Sequence, residues 1–174
     1  MKVVCICDAG VPEMLMQYMK KLPGCDVTLY TEKTLTDIKS LTTCERTAEL
    51  RDAEACPVSA ETLEAVREAE ILVTHVAPVN RVVLDAAPNV KIVGVLRTGT
   101  ENVNLDLCRE RGIEKFFCGC NSHNLPAQAF YRAMGGVVGA VHGGHADRAE
   151  DQMYFEFQTV KKPAQPKVSE GRKV

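Results

Sequence analysis

The sequence predicts an α/β domain in which a parallel sheet is covered by helices on both faces. Three observations carry this reading. The strand-like runs Lys2–Cys7, Ile71–Thr74 and Lys91–Leu96 are apolar almost throughout instead of alternating, as strands buried on both faces are. They take turns along the chain with segments of helical apolar spacing. Turn formers punctuate the joins, at Asp8-Ala9-Gly10, Pro23-Gly24, Pro88-Asn89 and Gly112. Five such strands fit a flavodoxin-like doubly wound parallel sheet, whose ligands bind beyond the carboxyl ends of the strands.

The elements follow in order. After the first strand, Pro12 stands where a first helical turn begins. Met14, Leu15, Tyr18 and Met19 recur at helical spacing until Pro23-Gly24, and a second strand covers Asp26 to Tyr30. The polar stretch from Thr31 to Ser59 is the least legible; Ala48 to Ala55 is its best helical segment. Ser59 is placed to cap a helix that carries Thr62 at its third position and Leu63 and Val66 on one face. The third strand, Ile71–Thr74, opens into the loop His75-Val76-Ala77-Pro78-Val79-Asn80, and a short helix runs from Val82 to Ala87. Lys91–Leu96 is the fourth strand. Asn104 caps a helix through Arg111, with Gly112 as the residue just beyond its end. A fifth strand spans about Glu114 to Cys118.

Composition narrows the function classes. The 174 residues are 45% apolar and 25% charged, with no Trp, so the core is aliphatic. A net charge of −2 and a pI near 6.1 leave no footprint for nucleic acid or an anionic membrane. The first apolar run meets Asp8 after six positions, too short for a signal-peptide core or a bilayer span, so a cytoplasmic chain is expected. Eight cysteines invite a zinc reading, but Cys5 and Cys7, like Cys118 and Cys120, are separated by a single residue, which is not knuckle spacing. Free, buried thiols are expected instead.

At the fourth strand the pattern becomes specific. Ala87-Pro88-Asn89-Val90-Lys91-Ile92-Val93-Gly94-Val95-Leu96-Arg97-Thr98-Gly99-Thr100-Glu101-Asn102-Val103-Asn104-Leu105, continued by Glu110-Arg111-Gly112-Ile113, resembles the catalytic domain of the D-isomer-specific 2-hydroxyacid dehydrogenases, the phosphoglycerate dehydrogenase-like members above all. Upstream, Ile71 to Leu84 resembles the same family. The likeness is strong from about residue 61 to 117, rests mainly on strand order before that, and is weak after 120.

The resemblance implies an NAD-dependent oxidoreductase that interconverts a D-2-hydroxy acid and a 2-oxo acid. It also implies that the substrate carboxylate is held by the loop matched by Arg97, Thr98 and Gly99, with His75 and Val76 on a second substrate loop. The residues allow that role. A Gly turn at a strand's carboxyl end can aim N–H groups at an anion, because no Cβ blocks the approach, and Arg97 adds a charge-assisted contact. The competing reading makes Gly99 a tight turn, Arg97 a solvated charge and His75 a strand-end cap. Asn102 is expected to bond loop backbone.

The family pattern breaks after the substrate loops. The Arg, acid and His that carry the family's chemistry belong within or after its nucleotide domain, and none of those motifs occurs here, so no catalytic residue is assigned. Gly135-Gly136-Val137-Val138-Gly139 lacks the preceding strand and following acid of a dinucleotide fingerprint. No cofactor-binding residue follows from it. Ser169–Val174 resembles the family's entry to its nucleotide domain.

The expectation is therefore a truncated enzyme: a substrate-binding domain at 1–120, a crossover helix region at 121–150, and a linker at 151–174 toward an absent NAD-binding domain. Ala127 to Ala149 has helical spacing, but Gly135, Gly136, Gly139, Gly143 and Gly144 together cost roughly 5 kcal/mol relative to Ala. Such a helix needs a packing partner. His142 and His145, with His123 nearby, suggest a metal only weakly, since no acidic or Cys ligand completes the set; no metal is expected.

The expected partners are a small 2-hydroxy or 2-oxo acid and a separately encoded NAD domain or a second copy of the chain. The alternative is a non-catalytic acid-binding or dimerisation module on the same fold. A signalling receiver domain is excluded, because Thr74-His75 follows the third strand where an Asp is required.

Overall fold

The computed structural model describes residues 1–97, 99–113, 115–133, 136–142 and 152–158, with backbone only for 115–119, 121, 140–142 and 152–158. Strands β1 (Lys2–Cys7), β2 (Asp26–Thr31), β3 (Ile71–Thr74), β4 (Ile92–Val95) and β5 (Lys115–Asn121) pair in parallel in the order β2-β1-β3-β4-β5. This is the predicted doubly wound sheet. The chain leaves β1 to one side for β2 and returns to its other side for β3, so the topological switch point lies between β1 and β3.

Alternate residues of β1 feed two cores. Val4 and Ile6 join Leu72, Val93 and Val95 against Leu41, Cys44 and Ala48 of helix α2 (Ile38–Leu50), Val83 and Leu84 of α4 (Arg81–Ala86), and Leu107 and Cys108 of α5 (Leu105–Glu110). Helix α3 (Ala60–Ala65) adds Leu63 at the edge of that cluster. Val3, Cys5, Cys7 and Val73 face the other way, onto Met16 of the one-turn helix α1 (Glu13–Met16).

The expected caps form. Ser59 Oγ accepts from the Thr62 N–H at 3.2 Å, Asn104 Oδ1 accepts from the Leu107 N–H at 3.0 Å, and Gly112 takes the left-handed φ of +72° beyond α5.

Three expectations are corrected. The face proposed from Met14, Leu15, Tyr18 and Met19 is mostly in solvent, since α1 tightens after one turn into a 3-10 helix (Gln17–Lys21) and only Met16 is buried. In the opaque stretch, the expected Ala48–Ala55 helix holds only at its two ends, Ala48–Leu50 closing α2 and Ala53–Ala55 forming a 3-10 turn; the main helix is α2, which starts upstream at Asp37. Its side chain accepts from Ser40 N–H at 2.8 Å while Ser40 Oγ accepts from the Asp37 N–H.

The third correction concerns the C-terminal region. The helix expected through Ala149 stops early, as α6 (Leu125–Ala133). It is followed by β6 (Val137–His142), and the stretch read as linker contains β7 (Gln152–Gln158). β7 lies antiparallel between β5 and β6, giving a sheet of seven strands among the described residues. Glycines at 135, 136 and 139 with β-branched Val137 and Val138 disfavour helix, while Met153-Tyr154-Phe155-Glu156-Phe157 is rich in strand formers. A register shift between Val138 and Ala140 leaves Gly139 as the extra residue of a bulge.

Candidate functional site

In-register pairing of Ile6 with Thr74 and of Thr74 with Val95 aligns the carboxyl ends of β1, β3 and β4. The segments leaving those ends carry Asp8, His75 and Arg97. The Leu96 N–H still donates to Thr74 O at 2.8 Å, so His75 and Arg97 emerge from adjacent strand ends.

Asp8 organises the switch point. Its buried carboxylate accepts from the N–H of Gly10 and of Val11, both at 2.9 Å, and from the N–H of Val76 at 3.0 Å. His75 Nδ1 lies 3.0 Å from Oδ1 and 3.2 Å from Oδ2. Burial raises the pKa of a carboxyl group, but here the hydrogen bonds from His75, Val76 and Val11 outweigh it and hold Asp8 below its ordinary value of 3.8. An ionised carboxylate only accepts, so the proton on this imidazole sits on Nδ1. A Cβ on Gly10 would stand 2.8 Å from His75 Cε1; only glycine lets the ring lie there without a shift.

The loop after β4 closes onto the loop after β3. Buried Asn102 donates from Nδ2 to His75 O at 3.2 Å and to Ala77 O at 3.1 Å, the backbone-bonding role expected of it. Val79 and Asn102 are joined through the Val79 N–H at 2.8 Å. Gly99 has φ +104°, a region that disfavours side chains, and the Glu101 carboxylate packs against it.

Arg97 is the charged residue beside this turn. Its side chain is only 11% exposed, and Nη2 lies 3.9, 3.7 and 3.8 Å from Glu45, Glu49 and Glu101. Those are ion pairs without hydrogen-bond contact. Its Nη1 is buried with no hydrogen-bond partner among the described residues.

Of the residues singled out from sequence, His75, Arg97 and Gly99 thus gather at one edge of the sheet. Val76 is there too, but its side chain is buried in the core and its N–H is engaged by Asp8. Thr98 lies outside the described residues, as do His145 and the side chain of His142. Sequence reasoning missed Asp8 and Gly10 as site residues. The signal was present, an acid and a glycine at the end of a buried strand, but the partner of Asp8 is 67 residues away.

Comparison with known proteins follows the same lines. The model of the D-isomer specific 2-hydroxyacid dehydrogenase catalytic domain matches residues 4–118. Erythronate-4-phosphate dehydrogenase of Shewanella sp. (strain MR-4) is 35% identical over 111 residues, covering 55% of this chain and 30% of the relative. The chain therefore spans less than a third of that relative's length. Among solved structures, NAD+-bound 3-phosphoglycerate dehydrogenase of Entamoeba histolytica aligns at 14% identity and TM-score 0.46, over 68% of this chain and 32% of the other. Phosphoglycerate oxidoreductase of Vibrio cholerae O395 aligns at 19% and 0.46, over 77% and 36%.

The described residues do not fit a nicotinamide dinucleotide. Such a site needs a strand, a glycine turn and a helix in that order. The glycine run at 135–139 has the reverse arrangement: α6 precedes it, and its last three residues already belong to β6. At the turn after β1, the N–H groups of Gly10 and Val11 that would face a phosphate already serve the Asp8 carboxylate.

Proposed function

The chain belongs to the D-isomer-specific 2-hydroxyacid dehydrogenase family, and on that premise we propose that residues 1–120 are the substrate-binding side of an NAD-dependent oxidoreductase of D-2-hydroxy acids. The ligand is a small 2-hydroxy or 2-oxo acid held by its carboxylate at Arg97, Thr98 and Gly99, with His75 beside it. The observation that carries this reading is the buried, unpartnered Nη1 of Arg97 next to a left-handed glycine turn at the sheet's ligand edge. A buried guanidinium nitrogen without an acceptor leaves a costly vacancy, which a carboxylate oxygen fills.

The chain's own residues bind and orient the acid. Asn102 fixes the two loops relative to each other, and Asp8 sets the ring of His75. Hydride transfer is nicotinamide chemistry and needs a nucleotide-binding unit, which the described residues do not form, so inactivity of this domain alone in oxidoreduction is part of the proposal. Such a unit, encoded separately or continuous with this one, and a cytoplasmic location belong to the same proposal. No helix among the described residues is long and apolar enough to cross a membrane.

The test is ligand-observed NMR with glyoxylate, pyruvate and hydroxypyruvate. Binding in the millimolar range or tighter, weakened at least tenfold by Arg97→Met, is expected. Equal binding by Arg97→Met would remove the carboxylate role from this loop, and no binding at all would leave Arg97 as a tether of α2.

A further inference from the structure

We propose that Asp8 and His75 form an acid–base pair at the switch point, with His75 Nε2 as the base that takes a proton from carbon 3 of a bound 2-oxo acid and returns it. The inference rests on the reading that a 2-oxo acid binds at Arg97. It adds to that reading an activity that needs no redox cofactor, the enolisation of the ligand.

Four observations support it. The Asp8 carboxylate is held on all sides by donors from Gly10, Val11, Val76 and His75, so it cannot swing away from the ring. With Nδ1 carrying the proton shared with Asp8, the lone pair of the neutral imidazole is on Nε2, the tautomer a general base requires. Nε2 makes no hydrogen bond among the described residues and is not one of the fully buried unpartnered atoms, so it opens to solvent. Finally, the ring stands at the carboxyl end of β3, one strand from Arg97. Neighbouring strands lie roughly 4.8 Å apart, a separation that a small acid bridges.

The anchoring of Asp8 alone would be explained by loop structure. The glycine at position 10 is not: it leaves room for the Cε1–Nδ1 edge of the imidazole and so orients a ring that backbone anchoring does not need.

The step balances without a co-reactant. The C3–H bond breaks and its proton goes to His75 Nε2. Its electron pair forms the C2–C3 double bond, and the carbonyl π pair moves onto the C2 oxygen, where the Arg97 guanidinium offsets the charge. Return of the proton from Nε2 restores the keto form. Nothing is oxidised or reduced. Asp8 acts as a positioning residue: it holds the tautomer and stabilises the imidazolium that forms during the step.

The experiment is exchange of the methyl protons of pyruvate in deuterated buffer with the full chain, followed by proton NMR, with binding measured in the same samples by saturation transfer. Expected is exchange at least tenfold above the buffer rate, lost in His75→Gln when each protein is compared at pyruvate concentrations that saturate it. Asp8→Asn reduces exchange by tenfold or more. In the intact chain, nitrogen-15 shifts report protonated Nδ1 and bare Nε2, a signature independent of whether Asp8→Asn folds. Binding without exchange overturns the acid–base role and leaves the carboxylate site standing. Exchange that persists in His75→Gln overturns it as well, and absence of binding overturns both readings together.

Discussion

The carboxylate of Glu101 occupies the space beside Gly99 that a side chain at position 99 would need. Two constraints therefore meet at one glycine, a neighbour and a φ of +104°. They differ in cost. The carboxylate is the free end of a flexible side chain and can move, whereas the backbone angle is set by the turn. Gly99→Ala is expected to destabilise the fold by about 1–2 kcal/mol, the cost of placing a Cβ at positive φ. Adding Glu101→Ala should recover little of it, as read from urea midpoints of the single and double variants.

Arg97 is shared among three carboxylates, none within hydrogen-bond distance. An incoming acid competes with them for the guanidinium. Glu45→Gln and Glu49→Gln should therefore tighten binding of 2-oxo acids, each by up to about fivefold, the scale of a partly exposed ion pair. The gain should shrink as salt is raised. Weaker binding in these variants would mean that the glutamates aim the guanidinium instead of competing for it.

Asp8 makes the fold sensitive to acid. Its folded pKa is depressed, because hydrogen bonds from His75, Val76 and Val11 outweigh the effect of burial. The sign follows from proton linkage: where the unfolded chain binds more protons, stability rises with pH. The contribution of Asp8 is thus complete above its ordinary value of 3.8, and declines as pH falls through that value toward the lower folded one. Glu68 and Glu70 are also depressed, by contacts with Lys2 and Lys91 that salt screens, and Asp37 by hydrogen bonds from Ser40 that an Asp37→Asn background removes. Denaturation midpoints between pH 6 and 3 in high salt should isolate the Asp8 share, and Asp8→Asn should flatten that limb.

The thiols should resist modification in the native state. Burial pushes Cys5 and Cys108 up to about 11 and Cys7 and Cys44 up to about 12, so almost no thiolate exists at neutral pH. Among the seven described cysteines, only Cys25 is partly exposed. Titration with a disulfide reagent at pH 7.5 should modify Cys25 first, and the others only at the rate of unfolding. Fast modification of Cys44 or Cys56 would show that α2 opens locally.

The sheet was legible where sequence and burial agree. Val3 to Cys7 and Ile71 to Thr74 are apolar on both faces because both faces are covered, and their turns carry the acid or glycine that the geometry requires. Asn104 and Ser59 were legible as caps because capping is decided within four residues. The Asp8–His75 contact was not, since it joins residues 67 apart and no local pattern encodes it. Likewise the triad of glutamates around Arg97 depends on where α2 docks, and α2 begins at an Asp37–Ser40 box inside the stretch where the apolar pattern is faint. The strands after Ala133 are hard to read because the apolar residues from Ala127 to Ala149 keep a helical spacing that the glycines dilute without replacing.

The placement of β7 between β5 and β6 makes the outermost strand a dependent one. Among the described residues, β6 pairs with the sheet through a segment that comes later in the chain, so during synthesis that pairing waits until residues 152–158 have emerged. A chain cut back to residue 151 forfeits two strands, not one, and exposes the flank of β5 as an open pairing edge.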